Sequence, residues 1–543
     1  SSDFHPRSFR KTSPIRIECM QQRIVQAGFL LLFLLGIGLC FPPWQEWTPL
    51  PAMIRLDPLL WVGQWLSSGQ IPAGLLQVGV VLIITLILGR FFCSHVCPLG
   101  TSLDAVSGVS RRSGKGWQPP QSWRQGKYIV LLAMLVAAVL GQNMTHWGSP
   151  LSLAGRLYAL LIWPLIHFLL QPVGLSPVLG VGAEPARIGH LGSLVLLLSL
   201  ILGTAWLVPR FWCRYLCPTG AILAVVSRAA LLTRRVKAHC SGCNLCLKSC
   251  PAGVSGPEEA PTGECLACRR CQALCPEQAV SWLPKGQSLK RGHEFWPQRR
   301  QVAGAVVLGA AGAWLSWGGL WAYRGEREKG QPKAEDLIRP PGAVPEIVFL
   351  NLCVRCGACM RVCPTNMLQP QGTEQGVQGL FAPVAVSRRG PCRTQCTACG
   401  QVCPTGAIRS LPVPEKMWAK MGTAVIYRHM CLAWEWDRAC LVCDEACPYG
   451  AIDLRRVEGN QEAVPFVLED RCSGCGACEH ACPVQGRSAI AVSPTGSLRL
   501  GKGSYQLQGR RLGLSIKRGG QPPSPSPEQE GLDSESESLP PGF

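Results

Sequence analysis

Residues 240–251, CSGCNLCLKSCP, and residues 265–276, CLACRRCQALCP, decide how this chain is read. Each run sets three cysteines two residues apart, a fourth three residues further on, and then a proline. Three such thiolates fold around one cubane, and the fourth ligates the neighbouring cluster in two-cluster ferredoxins. The spacing therefore implies Cys240, Cys243, Cys246 and Cys275 on one cluster, and Cys265, Cys268, Cys271 and Cys250 on the other. Four further runs follow, each ending in Cys-Pro: Cys353, Cys356, Cys359 and Cys363; Cys392, Cys396, Cys399 and Cys403; Cys431, Cys440, Cys443 and Cys447; Cys472, Cys475, Cys478 and Cys482. The six runs hold 24 of the 30 cysteines. Disulfide frameworks belong to small secreted scaffolds, and zinc sites lack the fourth Cys-Pro. Six 4Fe–4S clusters are therefore expected.

Among the last four runs the second (C-x3-C-x2-C-x3-C) and the third (C-x8-C-x2-C-x3-C) are irregular. If irregular spacing suits a shared half, these two pair and the outer two pair around them. That nested scheme sets Cys353, Cys356 and Cys359 with Cys482, and Cys472, Cys475 and Cys478 with Cys363. It likewise sets Cys392, Cys396 and Cys399 with Cys447, and Cys431, Cys440 and Cys443 with Cys403. Sequential pairing is the alternative. AVSWL after Cys275, AIDL after Cys447 and AIAV after Cys482 read as the short strands of ferredoxin halves.

Only 16% of the 543 residues are charged, yet the net charge is +20. The low charge comes from apolar stretches at 24–41, 71–89, 128–140, 157–170, 191–208 and 302–323, several of them near the ~20 residues that cross a bilayer. The expected class is a multi-domain membrane protein: an all-α transmembrane bundle with α+β bacterial-ferredoxin-like domains, one two-cluster and one four-cluster. The basic residues flank the apolar segments, which follows the positive-inside rule and argues against nucleic acid as the partner. Arg7, Arg10, Lys11, Arg16 and Arg23, then Arg111, Arg112, Lys115, Arg124 and Lys127, then Arg228, Arg234, Arg235 and Lys237, mark the cytoplasmic side. An even number of crossings then separates 127 from 213, and the short segment 157–170, holding Pro164, is expected to be a re-entrant or interfacial piece on the outer side.

Residues 296–323 join a twin arginine, Arg299 and Arg300, to an Ala/Gly-rich apolar stretch. This reads as an internal twin-arginine export signal, because cluster-bearing domains cross a membrane already folded. The expected domains are 1–235 (transmembrane), 236–285 (cytoplasmic, two clusters), 296–324 (export helix), 337–510 (periplasmic, four clusters) and 519–543, a Pro/Ser/Glu tail too polar to fold alone.

GRFFCSHVCPLG at 89–100 and PRFWCRYLCPTG at 209–220 form a duplicated R-F-aromatic-C-x3-C-P-x-G element. Cys93, Cys97, Cys213 and Cys217 are thus candidates for a redox dithiol or a shared metal site. Cys19 and Cys40 read as buried small residues. His95, His146, His167 and His190 read as packed or interfacial residues, none of them assigned to catalysis. No C-x-x-C-H occurs, so no c-type haem is expected.

On these motifs, residues 1–280 resemble NapH-type membrane ferredoxins, and residues 296 to about 490 resemble twin-arginine polyferredoxins of the NapG/MauM type. The resemblance implies a fusion of two subunits that carries electrons from quinol through the bacterial inner membrane to a periplasmic cytochrome or reductase. A possible quinol dehydrogenase activity follows from it. NosR-type relatives carry a covalent flavin domain, for which no segment is present. CcoG-like relatives with a similar membrane half suggest an alternative role, delivering electrons for maturation of another metalloenzyme.

Overall fold

The computed structural model describes residues 13–41, 43–110, 119–170, 191–237, 239–253, 263–284, 297–322, 337–372 and 376–516. Arg7, Arg10, Lys11, Arg111, Arg112, Lys115, His190 and the tail 519–543 lie outside these residues, as do the side chains of Arg16, Cys19 and His167. The chain forms two units: 1–334 with 342–385 and 397–411, and 335–341 with 386–396 and 412–543. Residues 337–510, expected as one four-cluster domain, are thus divided between them.

The first unit begins with α1 (Ser13–Gly38), α2 (Leu50–Ile54), α3 (Pro58–Ser68), α4 (Leu75–Leu88) and α5 (Pro98–Ser110). It continues with α6 (Gly126–Val139), α7 (Pro150–Arg156), α8 (Trp163–Leu170), α9 (Leu191–Leu207) and α10 (Pro218–Val226). Local chemistry sets several ends. Asp57 caps α3 by accepting the Leu59 N–H, and Ser149 caps α7 by accepting that of Ser152. Pro at the first position follows each cap. A π-helical turn, Leu157–Ile162, joins α7 to α8 without a break. The segment 157–170 is therefore no isolated short piece but the second half of one helical run from Pro150, whose apolar pattern Ser152 and Arg156 interrupt. Among the described residues one stretch, Gln21–Gly38, is long and apolar enough to cross a membrane, while Leu75–Leu88, Pro150–Ile166 and Leu194–Leu207 are apolar but shorter.

Beyond α10, β1 (Leu232–Val236) pairs antiparallel with β2 (Val280–Pro284), Val236 facing Val280. Between them lie one-turn helices α11 (Leu245–Lys248) and α12 (Arg270–Ala273), each inside a cysteine run. Next, α13 (Arg299–Ala322) packs along α6. Gly309 permits the close approach, since a Cβ there would lie 2.5 Å from the Ala133 carbonyl oxygen. The unit closes with the antiparallel pair β3 (Leu368–Pro370) and β4 (Pro383–Ala385).

In the second unit β5 (Thr423–Ile426) pairs antiparallel with β8 (Ile490–Ser493), and β6 (Ile452–Arg455) with β7 (Val464–Val467). Ala424, Ala451, Ile452 and Ile490 form its core together with Cys472 and Cys478. Outer strands enclosing an inner hairpin put two cysteine runs in one module. The strands expected after Cys275, Cys447 and Cys482 are all present.

Candidate metal centres

In each of the four regular runs the residue after the second cysteine turns left-handed: Asn244, Arg269, Gly357 and Gly476, at φ 58°, 55°, 82° and 78°. That turn reverses the chain within one residue and brings the third thiol round to face the first two. In the irregular runs Thr397 and Leu441 occupy this place with negative φ. There the added residues do the turning. Leu432–Trp436 makes a helical turn within the run, ended by left-handed Asp437.

Cys240, Cys243, Cys246 and Cys275 line one hollow with about 390 Å³ unfilled by protein atoms. Cys265 lies among Cys268, Cys271 and Cys250. Both sets match the sequence expectation. A second hollow, of about 360 Å³, is lined by Cys353, Cys356, Cys359 and Cys403. Cys478 is surrounded by Cys475, Cys472, Cys447 and Cys443, while Cys431 packs with Cys440 and Cys482. Pairing is therefore sequential, and the nested scheme is wrong. Its premise fails because irregular spacing is absorbed locally by the inserted turn, whereas module membership is set by strand pairing: β6, after the third run, pairs with β7, which leads into the fourth.

Three of the fourth cysteines are held alike. Cys275 Sγ accepts the N–H of Ala279 at 3.3 Å, Cys403 that of Ile408 at 3.4 Å, and Cys447 that of Ala451 at 3.3 Å. Such bonds neutralise thiolate charge and tune cluster potential. Among the described residues no three His, Cys, Asp or Glu side chains close around a single metal ion. Thiolates on separate iron atoms of a cluster lie further apart than ligands of one ion, so the donor sets fit cubanes, which when bound supply one-electron carriers.

The structure also brings the duplicated elements together. Cys217 has Cys213, Cys93 and Cys97 as electrostatic neighbours, and Cys97 has Cys213 and Cys93. The π-helical segments Phe92–Val96 and Trp212–Leu216 carry the first thiol of each pair. Cys97 and Cys217 sit at the N-termini of α5 and α10, where their sulfurs accept the Gly100 and Gly220 N–H groups at 3.4 and 3.3 Å. Buried Arg90 meets Glu264 at 3.2 Å, and Glu264 also takes Lys127 at 2.5 Å and the Tyr128 hydroxyl at 2.7 Å. Buried Arg210 meets Asp104 at 2.7 Å, and Asp104 also takes Arg270 at 3.1 Å. The arginines are legible as motif positions, but their acidic partners had no sequence signal.

His146 is fully buried, its Nδ1 accepting from Arg355 at 2.6 Å, and His95 stacks on Phe91 with centroids 4.1 Å apart. Both are packed residues, as expected. Cys40 is buried and donates to the Gly36 carbonyl oxygen at 3.2 Å.

These sites define an iron–sulfur electron-transfer protein. A 4Fe–4S binding domain model matches residues 70–116 and 190–239, and a 4Fe–4S dicluster domain model matches 352–407 and 438–485. The chain belongs to the NapH/MauM family of ferredoxin-type proteins. The methylamine utilization ferredoxin-type protein MauM of Methylorubrum extorquens is 38% identical over 204 residues, covering 36% of this chain and 90% of that protein. The ferredoxin-type protein NapH of Escherichia coli is 30% identical over 240 residues, covering 41% and 73%. No solved structure matches.

Proposed function

We propose that this chain is a membrane-bound conduit that passes electrons between the quinone pool and a periplasmic redox partner through six 4Fe–4S clusters. The observation that carries the reading is the placement of two cluster groups at opposite ends of α6. At its start, Lys127 and Tyr128 hold Glu264, next to Cys265. Beyond its end, the Gly141 carbonyl accepts from Asn351 at 3.1 Å, and Asn143 donates to the Asn351 carbonyl at 2.6 Å, next to the Cys353 run. Fourteen residues at 1.5 Å each put about 21 Å of helix between the two groups. On α1, α4, α9 and α13, Leu31, Leu76, Ile83, Leu200 and Val307 are exposed apolar side chains, as helices in contact with lipid require.

In this reading Arg299 and Arg300 begin an export helix, the two-cluster module is cytoplasmic and the four-cluster part periplasmic. Proteoliposomes holding the chain should oxidise a quinol analogue when a periplasmic-side acceptor is supplied. Failure to do so with the cognate partner present would sink the proposal. If deleting the gene left the partner enzyme inactive even with artificial donors, the maturation role would replace it.

A further inference from the structure

We propose that residues 435–445, looped beside the Cys431 site, form the docking face for an electron-accepting protein whose cofactor is ringed by basic side chains. This rests on the conduit reading and adds to it where electrons leave the chain and what kind of protein takes them.

Within the second unit the thiols form a row. Cys392, from another run, donates its N–H to the Cys475 carbonyl oxygen at 2.8 Å, and the two thiols are electrostatic neighbours. Cys478 of the same site neighbours Cys443, which in turn neighbours Cys431 and Cys440. The row therefore runs from Cys392 through the Cys475 site to the Cys431 site. An electron that travels it ends beside the loop between Cys431 and Cys440.

That loop is larger than ligation needs. Regular runs pass from first to second ligand over two residues, whereas eight separate Cys431 from Cys440. They are nevertheless firmly held. Asn460 Nδ2 donates to the Ala433 carbonyl oxygen at 2.9 Å, Trp434 Nε1 donates to that of Pro465 at 3.1 Å, and the Trp434 ring meets Phe466 edge-on with centroids 5.3 Å apart. Packing thus accounts for Trp434. It does not account for Trp436 and Leu441, which are 53% and 48% exposed although the ligands around them converge on one cluster. An exposed tryptophan on a rigid support is the anchor that protein interfaces favour.

Charge selects the occupant. Between 435 and 445 stand Glu435, Asp437, Asp444 and Glu445 against Arg438, and the loop bonded to Asp437 adds Glu458 and Glu462 against Arg456. Arg428, 4.1 Å over the Trp434 ring, does not reverse the sign. The face is acidic in a chain of net charge +20. Anionic headgroups, the same face of a second copy and the chain's own acidic segment at 519–543 are all repelled by it, whereas a partner with lysines or arginines around its cofactor is steered to it. One electron then leaves the reduced Cys431 cluster and reduces the partner's cofactor by one, with no bond made or broken.

The test uses the full-length protein in detergent, reduced with dithionite and freed of the excess, so no quinol is needed and a failure of quinol oxidation leaves the result untouched. The probes are cytochrome c, whose haem edge is ringed by lysines, and the same cytochrome with its lysines succinylated. At low salt the native probe should be reduced about tenfold faster than the succinylated one, and Glu435→Lys/Glu445→Lys should slow its reduction about tenfold at unchanged iron per chain. Trp436→Ala should slow it several-fold. Carbodiimide should join lysines of the native probe to Glu435, Asp444 or Glu445. Rates that neither variant changes, or cross-links confined to other carboxylates or to a second copy of the chain, overturn the proposal. Should iron per chain fall in a variant, the cross-link map of the unsubstituted protein decides.

Discussion

Asp437 shows how one side chain makes an unusual ligand spacing workable. Its carboxylate accepts the N–H groups of Gln461 and Glu462 at 3.0 and 2.9 Å, pinning the inserted turn to the loop between β6 and β7. Asp437→Ala should leave the module folded but let its first ligand, Cys431, wander. Iron release to a chelator should become several-fold faster for one cluster only. Arg156 acts by charge: it is fully buried and has Cys356 and Cys353 as neighbours. A fixed cation favours the reduced, more negative cluster, so Arg156→Gln should lower that cluster's midpoint potential by some tens of millivolts in a redox titration. Neither role is legible in the sequence, because Asp437 meets residues 24 and 25 positions away and Arg156 lies about 200 positions from the thiols it faces.

At the level of elements, the joint between bundle and two-cluster module rests on Glu264. Burial raises its pKa, but Lys127 and Arg90 outweigh that and hold it at about 2. The carboxylate is therefore charged above its ordinary 4.5, and the stabilisation it brings is fully present there and lost as pH falls from 4.5 towards about 2. Glu264→Gln leaves two buried cations without their counter-charge. It should cost about 3–5 kcal/mol, seen as a lowered thermal midpoint and earlier proteolytic release of the module. The α6–α13 contact makes a separate prediction: Gly309→Leu should separate the helices, and a disulfide engineered across them should then fail to form. Elements were read well where ligand spacing dictated them, since cysteine runs and the strands after them are local. Helix lengths were read less well, since the helix holding 157–170 starts at Pro150, where Ser152, Gly155 and Arg156 interrupt the apolar run.

Across the whole molecule, the six cysteine runs and the grouping of the first two are legible in the sequence, and the grouping of the last four is not. Thiolate spacing is a short-range property, whereas pairing follows from which strands share a hairpin, and the regular and irregular runs differ only inside their own loops. The split of residues 337–510 between two units has the same origin: the first run shares its module with Cys403, and Asn351, Val354 and Arg355 bond to the helical bundle.

Because Glu264 and Asn351 are tied to the two ends of α6, that helix is a gauge block for the electron tunnelling proposed between the cysteine groups beside them. Tunnelling rates fall exponentially with distance, and a rigid rod holds distance constant against thermal motion. Removing one residue from its middle would shorten the gauge by about 1.5 Å and turn one anchor by about 100° relative to the other. The shorter path would not speed transfer, because the two anchors could no longer both be met.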